Sequence, residues 1–152
     1  MCIRDRRIIE KNLRDKLAKK QRLIVIGDSY SVSSLIVYKQ KFYEIGIDLD
    51  IQLSLKSYGQ MVVEKKFTGS DLIIVVSLYK SDLDLMAEFF SGYLELKHFI
   101  KEQKIDHLYV GKIATGNRNL DECYRIDDNI NFSEAIYQLC SLFEKIYNFY
   151  AL

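Results

Sequence analysis

The chain contains no proline and no tryptophan among its 152 residues. Without proline no turn can rely on a ring-fixed φ, so chain reversals fall to glycine, asparagine, aspartate and serine. Cysteine is scarce. Cys2, Cys123 and Cys140 are odd in number, far apart and form no CxxC pair. They fit the reduced thiols of a cytoplasmic protein better than a disulfide framework or a zinc site. The two histidines, His98 and His107, have no partner at metal-ligand spacing, so no metal centre and no cofactor is expected. Charge of one sign is also missing. Lysine and arginine number 22 against 21 aspartates and glutamates, a net charge of +1, which gives no global field for nucleic acid. No apolar run approaches the length of about 18 residues that a membrane span needs. The charged opening, Met1 to Lys20, lacks the apolar centre of a secretory signal.

What is present is ordinary for a globular protein: 49% hydrophobic and 28% charged residues, in a length that suits one domain with a real core. From about Ile3 to Lys20, Ile9, Leu13 and Leu17 recur every fourth position among charged neighbours. This predicts a solvated helix held by a narrow apolar stripe. Leu23–Ile26 is an apolar, largely β-branched run that suits a strand buried on both faces. Gly27 breaks it, and a helical period follows from Val32 to about Tyr43, stopped by Gly46. Ile47, Leu49, Ile51 and Leu53 alternate with polar residues, as in a half-exposed edge strand. Ser54–Phe67 has helical spacing. Leu72–Val76 is the most hydrophobic run and reads as a central strand.

Helices are expected over Leu83–Tyr93 and Leu94–Gln103, strands at His107–Ile113 and Cys123–Ile126, and a last helix begun by Asn131 or Ser133 and ending near Tyr150. The last helix has a broad apolar face, which points to a dimer. Strands alternating with helices imply an α/β fold: a doubly wound, mainly parallel sheet of about five strands, flanked by helices in a flavodoxin-like three-layer arrangement. Residues 1–21 form a connecting helix and 22–152 the domain proper.

Ligands of such sheets bind beyond the carboxyl ends of the strands. Two of those ends are rich in hydroxyls, Gly27-Asp-Ser-Tyr-Ser31 and Ser77-Leu-Tyr-Lys-Ser81. A strand, a glycine turn and a serine-capped helix can cradle an anion with backbone N–H groups. These features together resemble the sugar isomerase (SIS) domain, most nearly the effector-binding half of RpiR/MurR-type transcriptional regulators. Gly27, Ser29 and Ser31 fall where that family has a G-x-G-x-S-type loop, Lys41-Phe-Tyr-Glu-Ile-Gly46 matches its helix end, and Asp71-Leu-Ile-Ile-Val-Val-Ser77 matches the strand that opens its second phosphate loop.

The resemblance covers about Arg22 to Leu152. It implies a non-catalytic domain that senses a phosphorylated sugar, forms a homodimer, and reaches DNA through a helix-turn-helix domain that this chain does not include. The ligand-binding residues it implies are Gly27, Ser29, Ser31, Ser77, Lys80 and Ser81. The second loop departs from the family's S-x-S-G-x-T at Tyr79, Lys80 and Asp82, and Asp28 adds a carboxylate to the first. A degenerate pocket, kept as a dimerisation module, is therefore one alternative. Another is a small sugar-phosphate isomerase with Glu134 as its base, set against a Glu134 that simply complements the dipole of the last helix.

Overall fold

The computed structural model describes residues 11, 13–27, 29–52, 67–78, 98, 100–111, 123–126 and 130–151, with the backbone alone at Ser77, Cys123 and Arg125. The strands are β1 (Arg22–Gly27), β2 (Asp48–Gln52), β3 (Asp71–Ser77), β4 (His107–Gly111) and the three-residue β5 (Cys123–Arg125). All pair in parallel, in the order β2-β1-β3-β4-β5. The expected α/β sheet is thus present, its body formed by four parallel strands and its far edge extended by short β5.

The order follows from the side chains. In β3, Leu72, Ile73, Ile74 and Val76 are fully buried, as a central parallel strand between two helical layers requires. In β2 only Leu49 is fully covered while Asp48 is exposed, the pattern of an edge. The two faces of the sheet carry separate cores. Leu23, Val25, Leu72, Ile74, Val76, Leu108 and Val110 pack beneath one helical layer. Ile24, Ile26, Ile73 and Val75 face the other way, with Ile100 of helix α4, whose described residues are 98 and 100–103.

The first layer contains helix α1 (residues 13–17), whose Leu13 and Leu17 are both buried. Those residues belong to the main core, and the Tyr150 hydroxyl donates to the Leu17 carbonyl at 2.8 Å. Ile9 and the rest of the expected stripe lie outside the described residues. The single helix expected after Gly27 is instead three pieces: α2 (Ser29–Val32), a 3-10 segment η1 (Ser33–Tyr38) and α3 (Lys39–Glu44). Two serine hydroxyls account for the tightening. Ser33 Oγ donates to the Tyr30 carbonyl (3.3 Å) and Ser34 Oγ to the Ser31 carbonyl (2.7 Å), occupying acceptors that an α-helix would use.

Gly46 ends α3 as expected. Its φ is +81°, and the N–H groups of Gly46 and Ile47 reach back to the carbonyls of Tyr43 and Phe42 at 3.0 Å each. This closes the helix in a Schellman motif. Lys104 occupies the corresponding left-handed position after α4, at φ +52°, a conformation that costs a non-glycine residue about 1–2 kcal/mol. The last helix, α5 (Phe132–Ala151), buries Ala135, Leu139, Leu142, Phe143 and Ile146. Phe143 lies edge-on to Phe42, and Tyr38 donates its hydroxyl to the Cys140 carbonyl. The breadth of its apolar face is used within the chain, by η1 and α3 as well as the sheet. The helices expected over 54–66 and 83–97, and the loop over 114–119, lie outside the described residues.

Candidate functional site

A switch point in an open parallel sheet is where successive connections leave in opposite directions. Here β1 is followed by β2 on one side, while β3 lies on the other. The crevice therefore falls between the carboxyl ends of β1 and β3, which are Gly27 and Ser77. Their register pairs Gly27 with Val76, so Ser77 projects one residue beyond the glycine. This is the juxtaposition that the two hydroxyl-rich loops require.

Gly27 has a structural reason that the sequence reading did not contain. A methyl group in place of its hydrogen would overlap the Val76 carbonyl oxygen and crowd a Val32 methyl. The glycine thus lets β1, β3 and α2 converge closely where the crevice opens. Beyond it, Ser29 is exposed and Ser31 is completely buried, against the foot of the first helical layer. Among the six expected ligand residues, Gly27 and Ser77 end neighbouring strands, and Ser29 and Ser31 lie in α2 just after Gly27. Lys80 and Ser81 lie outside the described residues, as do Asp28, Tyr79 and Asp82.

Glu134 stands in the first turn of α5, which follows β5 at the same end of the sheet. Its N–H donates to Asn131 Oδ1 at 2.9 Å, and Asn131 Nδ2 returns a longer contact of 3.4 Å to Glu134 Oε1. Asn131 is therefore the N-cap, and Glu134 answers it through the Asn131 side-chain amide rather than the backbone N–H of a full capping box. Among the histidines, His98 is exposed and pairs with Glu102 one turn on, at 3.0 Å. His107 opens β4, its Nδ1 at 3.0 Å from the Ile105 carbonyl. No group of three or more metal-ligating side chains occurs among the described residues.

The sequence reading missed the opposite end of the sheet. There a cleft of about 290 Å³ opens beside the amino ends of β3 and β4. Lys20, in the link from α1 to β1, is buried and donates to the Gly69 carbonyl (2.9 Å) and to Asp106 Oδ2 (2.5 Å). Asp71, equally buried, binds Arg22 at two points and accepts the Thr68 N–H at 2.7 Å. The two buried charges, Lys20 and Asp71, each face an opposite charge, which keeps them tolerable there. A weak signal existed: Arg22 and Asp71 each immediately precede an apolar strand, and parallel neighbours bring such positions together.

The sequence matches no protein-family model and no curated protein. Solved structures do share the fold. A candidate sugar-binding protein of Salmonella typhimurium LT2 superposes with a TM-score of 0.66 at 8% identity, over 93% of this chain. The Vibrio vulnificus NanR protein, solved in complex with ManNAc-6P, superposes with a TM-score of 0.60 at 9% identity, over 97% of this chain. The chain spans 40% and 58% of the lengths of those two proteins. At such identities the likeness is one of fold.

Proposed function

We propose that this domain binds a phosphorylated sugar in the crevice between β1 and β3, as the effector-sensing part of an RpiR-like transcriptional regulator. The observation that carries the reading is the switch point itself, which sets the ends of β1 and β3, Gly27 and Ser77, next to one another where open α/β sheets build ligand sites. The fold likeness to NanR, solved in complex with the phosphorylated sugar ManNAc-6P, supports the same ligand class.

In this reading the exposed Ser29 hydroxyl, the Ser77 hydroxyl and the backbone around Gly27 hold the phosphate, with Lys80 and Ser81 completing the wall. Buried Ser31 shapes the floor and reaches a ligand only if the loop opens. The domain is a sensor and not an isomerase, a reading favoured by the contact of the Glu134 carboxylate with the Asn131 side-chain amide at the cap of α5. It acts in the cytoplasm as a homodimer, with DNA contact supplied by a helix-turn-helix segment outside residues 1–152. Exposed Tyr30, Val37 and Tyr137 are apolar side chains available for self-association.

A thermal-shift panel of hexose and hexosamine phosphates beside the parent sugars tests the reading. A ligand present at a hundred times its Kd adds about 2.7 kcal/mol, or roughly 5–10 °C in Tm for a domain of this size. The expected result is stabilisation by a phosphorylated sugar, weakened in Ser29→Ala/Ser77→Ala. Failure of every sugar phosphate to stabilise the protein at millimolar concentration would sink the proposal.

A further inference from the structure

The cleft at the amino ends of β3 and β4 lies at the other end of the sheet from the crevice. β3 is seven residues long, which separates the two by about 20 Å of extended chain. Ligands of the crevice do not reach it, and its chemistry can be taken by itself.

Its ionic groups divide into pairs and a remainder. Arg22 neutralises Asp71, and Lys20 neutralises Asp106. Lys104, on the rim, has no partner among the described residues and leaves the cleft with a surplus positive charge. The hydrogen-bonding groups are equally one-sided. An ammonium has three protons, and Lys20 uses two of them, on the Gly69 carbonyl and Asp106. The Thr68 hydroxyl accepts the Ser70 N–H, which leaves its own proton to give. The exposed Gln103 amide adds two more donors and one carbonyl acceptor. Against the donors stand that carbonyl and the second oxygen of Asp106.

The position of Lys104 adds an independent sign. A left-handed residue closing a helix is most often glycine, yet the chain keeps lysines there, Lys19 at φ +64° and Lys104 at φ +52°, and Lys104 holds its cation at the mouth of the cleft. Such conformations gather at ligand sites when a side chain is needed there. Phe67 and Ile105 supply half-buried apolar walls beside the cations, and a drier wall strengthens attraction between opposite charges.

We propose that this cleft is a second binding site, for a compact oxyanion such as a phosphate or a small carboxylate, held between Lys20 and Lys104 with Thr68 and Gln103 donating to its remaining oxygens. The inference is independent of the sugar-phosphate reading of the crevice.

The test is a backbone-amide NMR titration of the full chain with inorganic phosphate and, separately, with glycerate, which distinguishes a phosphate from a carboxylate source. Saturable shifts are expected at Gly69, Lys104 and Asp106, with an affinity that does not depend on whether Gly27 and Ser29 in the crevice also shift. Lys104→Gly removes the charge but suits the left-handed backbone, so the variant folds and its Tm rises. It should bind at least about tenfold more weakly, as expected for loss of a charged hydrogen-bond donor. Absence of saturable shifts around the cleft with both anions overturns the proposal, and so does unchanged affinity in Lys104→Gly.

Discussion

Arg22 and Asp71 meet in a two-point ion pair, Nε to Oδ1 at 3.0 Å and Nη2 to Oδ2 at 2.7 Å, that ties the first residue of β1 to the first residue of β3. The carboxylate is almost completely buried and the guanidinium about a quarter exposed. The pair raises the pKa of Arg22 through its hydrogen bond to Asp71, so its charge is fixed at any working pH. Asp71 also stops the preceding turn by accepting the Thr68 N–H. Asp71→Asn keeps the shape but leaves the guanidinium without its counter-charge. Breaking one side of a buried pair costs about 3–5 kcal/mol. Partial exposure of Arg22 lowers the expectation to about 2–3 kcal/mol, read as a fall in urea midpoint at unchanged slope. A loss below about 0.5 kcal/mol would show that the pair is ornamental.

Gly27→Ala should be more damaging than its size indicates. The added methyl meets the Val76 carbonyl, a backbone atom of the neighbouring central strand that no rotamer change can move aside. Overpacking by one methylene typically costs about 1–3 kcal/mol, and a backbone clash belongs at the top of that range. Gly46→Ala makes a useful contrast. Nothing lies within 4 Å of a Cβ there, and the cost comes from the positive φ alone, about 1 kcal/mol. Equilibrium unfolding of both variants should rank Gly27→Ala as clearly the worse; the reverse order would refute the clash.

Much of this architecture was legible because burial on two faces and burial on one face leave different marks. Leu72 to Val76 reads as an unbroken apolar run and is central, while Leu49 and Ile51 alternate with aspartates and mark an edge. The 3-10 segment was not legible, since over six residues an apolar period of 3.0 cannot be told from 3.6. The hydroxyls of Ser33 and Ser34 decide it locally. At the site, adjacency of Gly27 and Ser77 could be inferred from topology, but the burial of Ser31 could not. A small polar residue after a turn looks the same whether it faces solvent or core. Lys20 was hidden for another reason. In a run of charged residues nothing distinguishes the lysine whose partner, Asp106, lies 86 positions away.

One buried tyrosine, Tyr38, and one half-buried, Tyr150, should make the fold sensitive to alkali. The Tyr38 hydroxyl donates to the Cys140 carbonyl at 3.2 Å. Burial first, and then the neighbouring Cys140 and Glu144 side chains, push its pKa from 10.0 up to about 12. Burial likewise raises Tyr150, which donates to Leu17 across the base of α1. A pKa raised in the folded state means that the unfolded chain loses its proton first. The contribution is complete below pH 10.0 and is lost as pH rises toward about 12. Urea unfolding at increasing alkalinity should show stability falling across that window, with tyrosinate absorbance appearing together with unfolding. Tyr38→Phe should flatten the fall, and an equal slope in that variant would exclude Tyr38 as a cause.

Asn131 and Glu134 separate the two readings of the last helix. As the N-cap, Asn131 satisfies the Glu134 N–H at 2.9 Å, and the return contact from Asn131 Nδ2 to Glu134 Oε1 is long and exposed. Loss of such a cap costs about 0.5–2 kcal/mol, so Asn131→Ala should lower stability by about 1 kcal/mol. Glu134→Gln keeps an oxygen for the return contact and forgoes only the attraction between a carboxylate and the helix dipole, an effect of about 0.3–1 kcal/mol that salt screens. Its stability loss should therefore be smaller and should shrink in high salt. If the side chain acts within the cap and not as a base, Glu134→Gln will also bind any stabilising sugar phosphate as well as the wild type does. Ketose–aldose interconversion by the wild-type chain that disappears in Glu134→Gln would reverse this assignment, because a capping role has no proton to transfer.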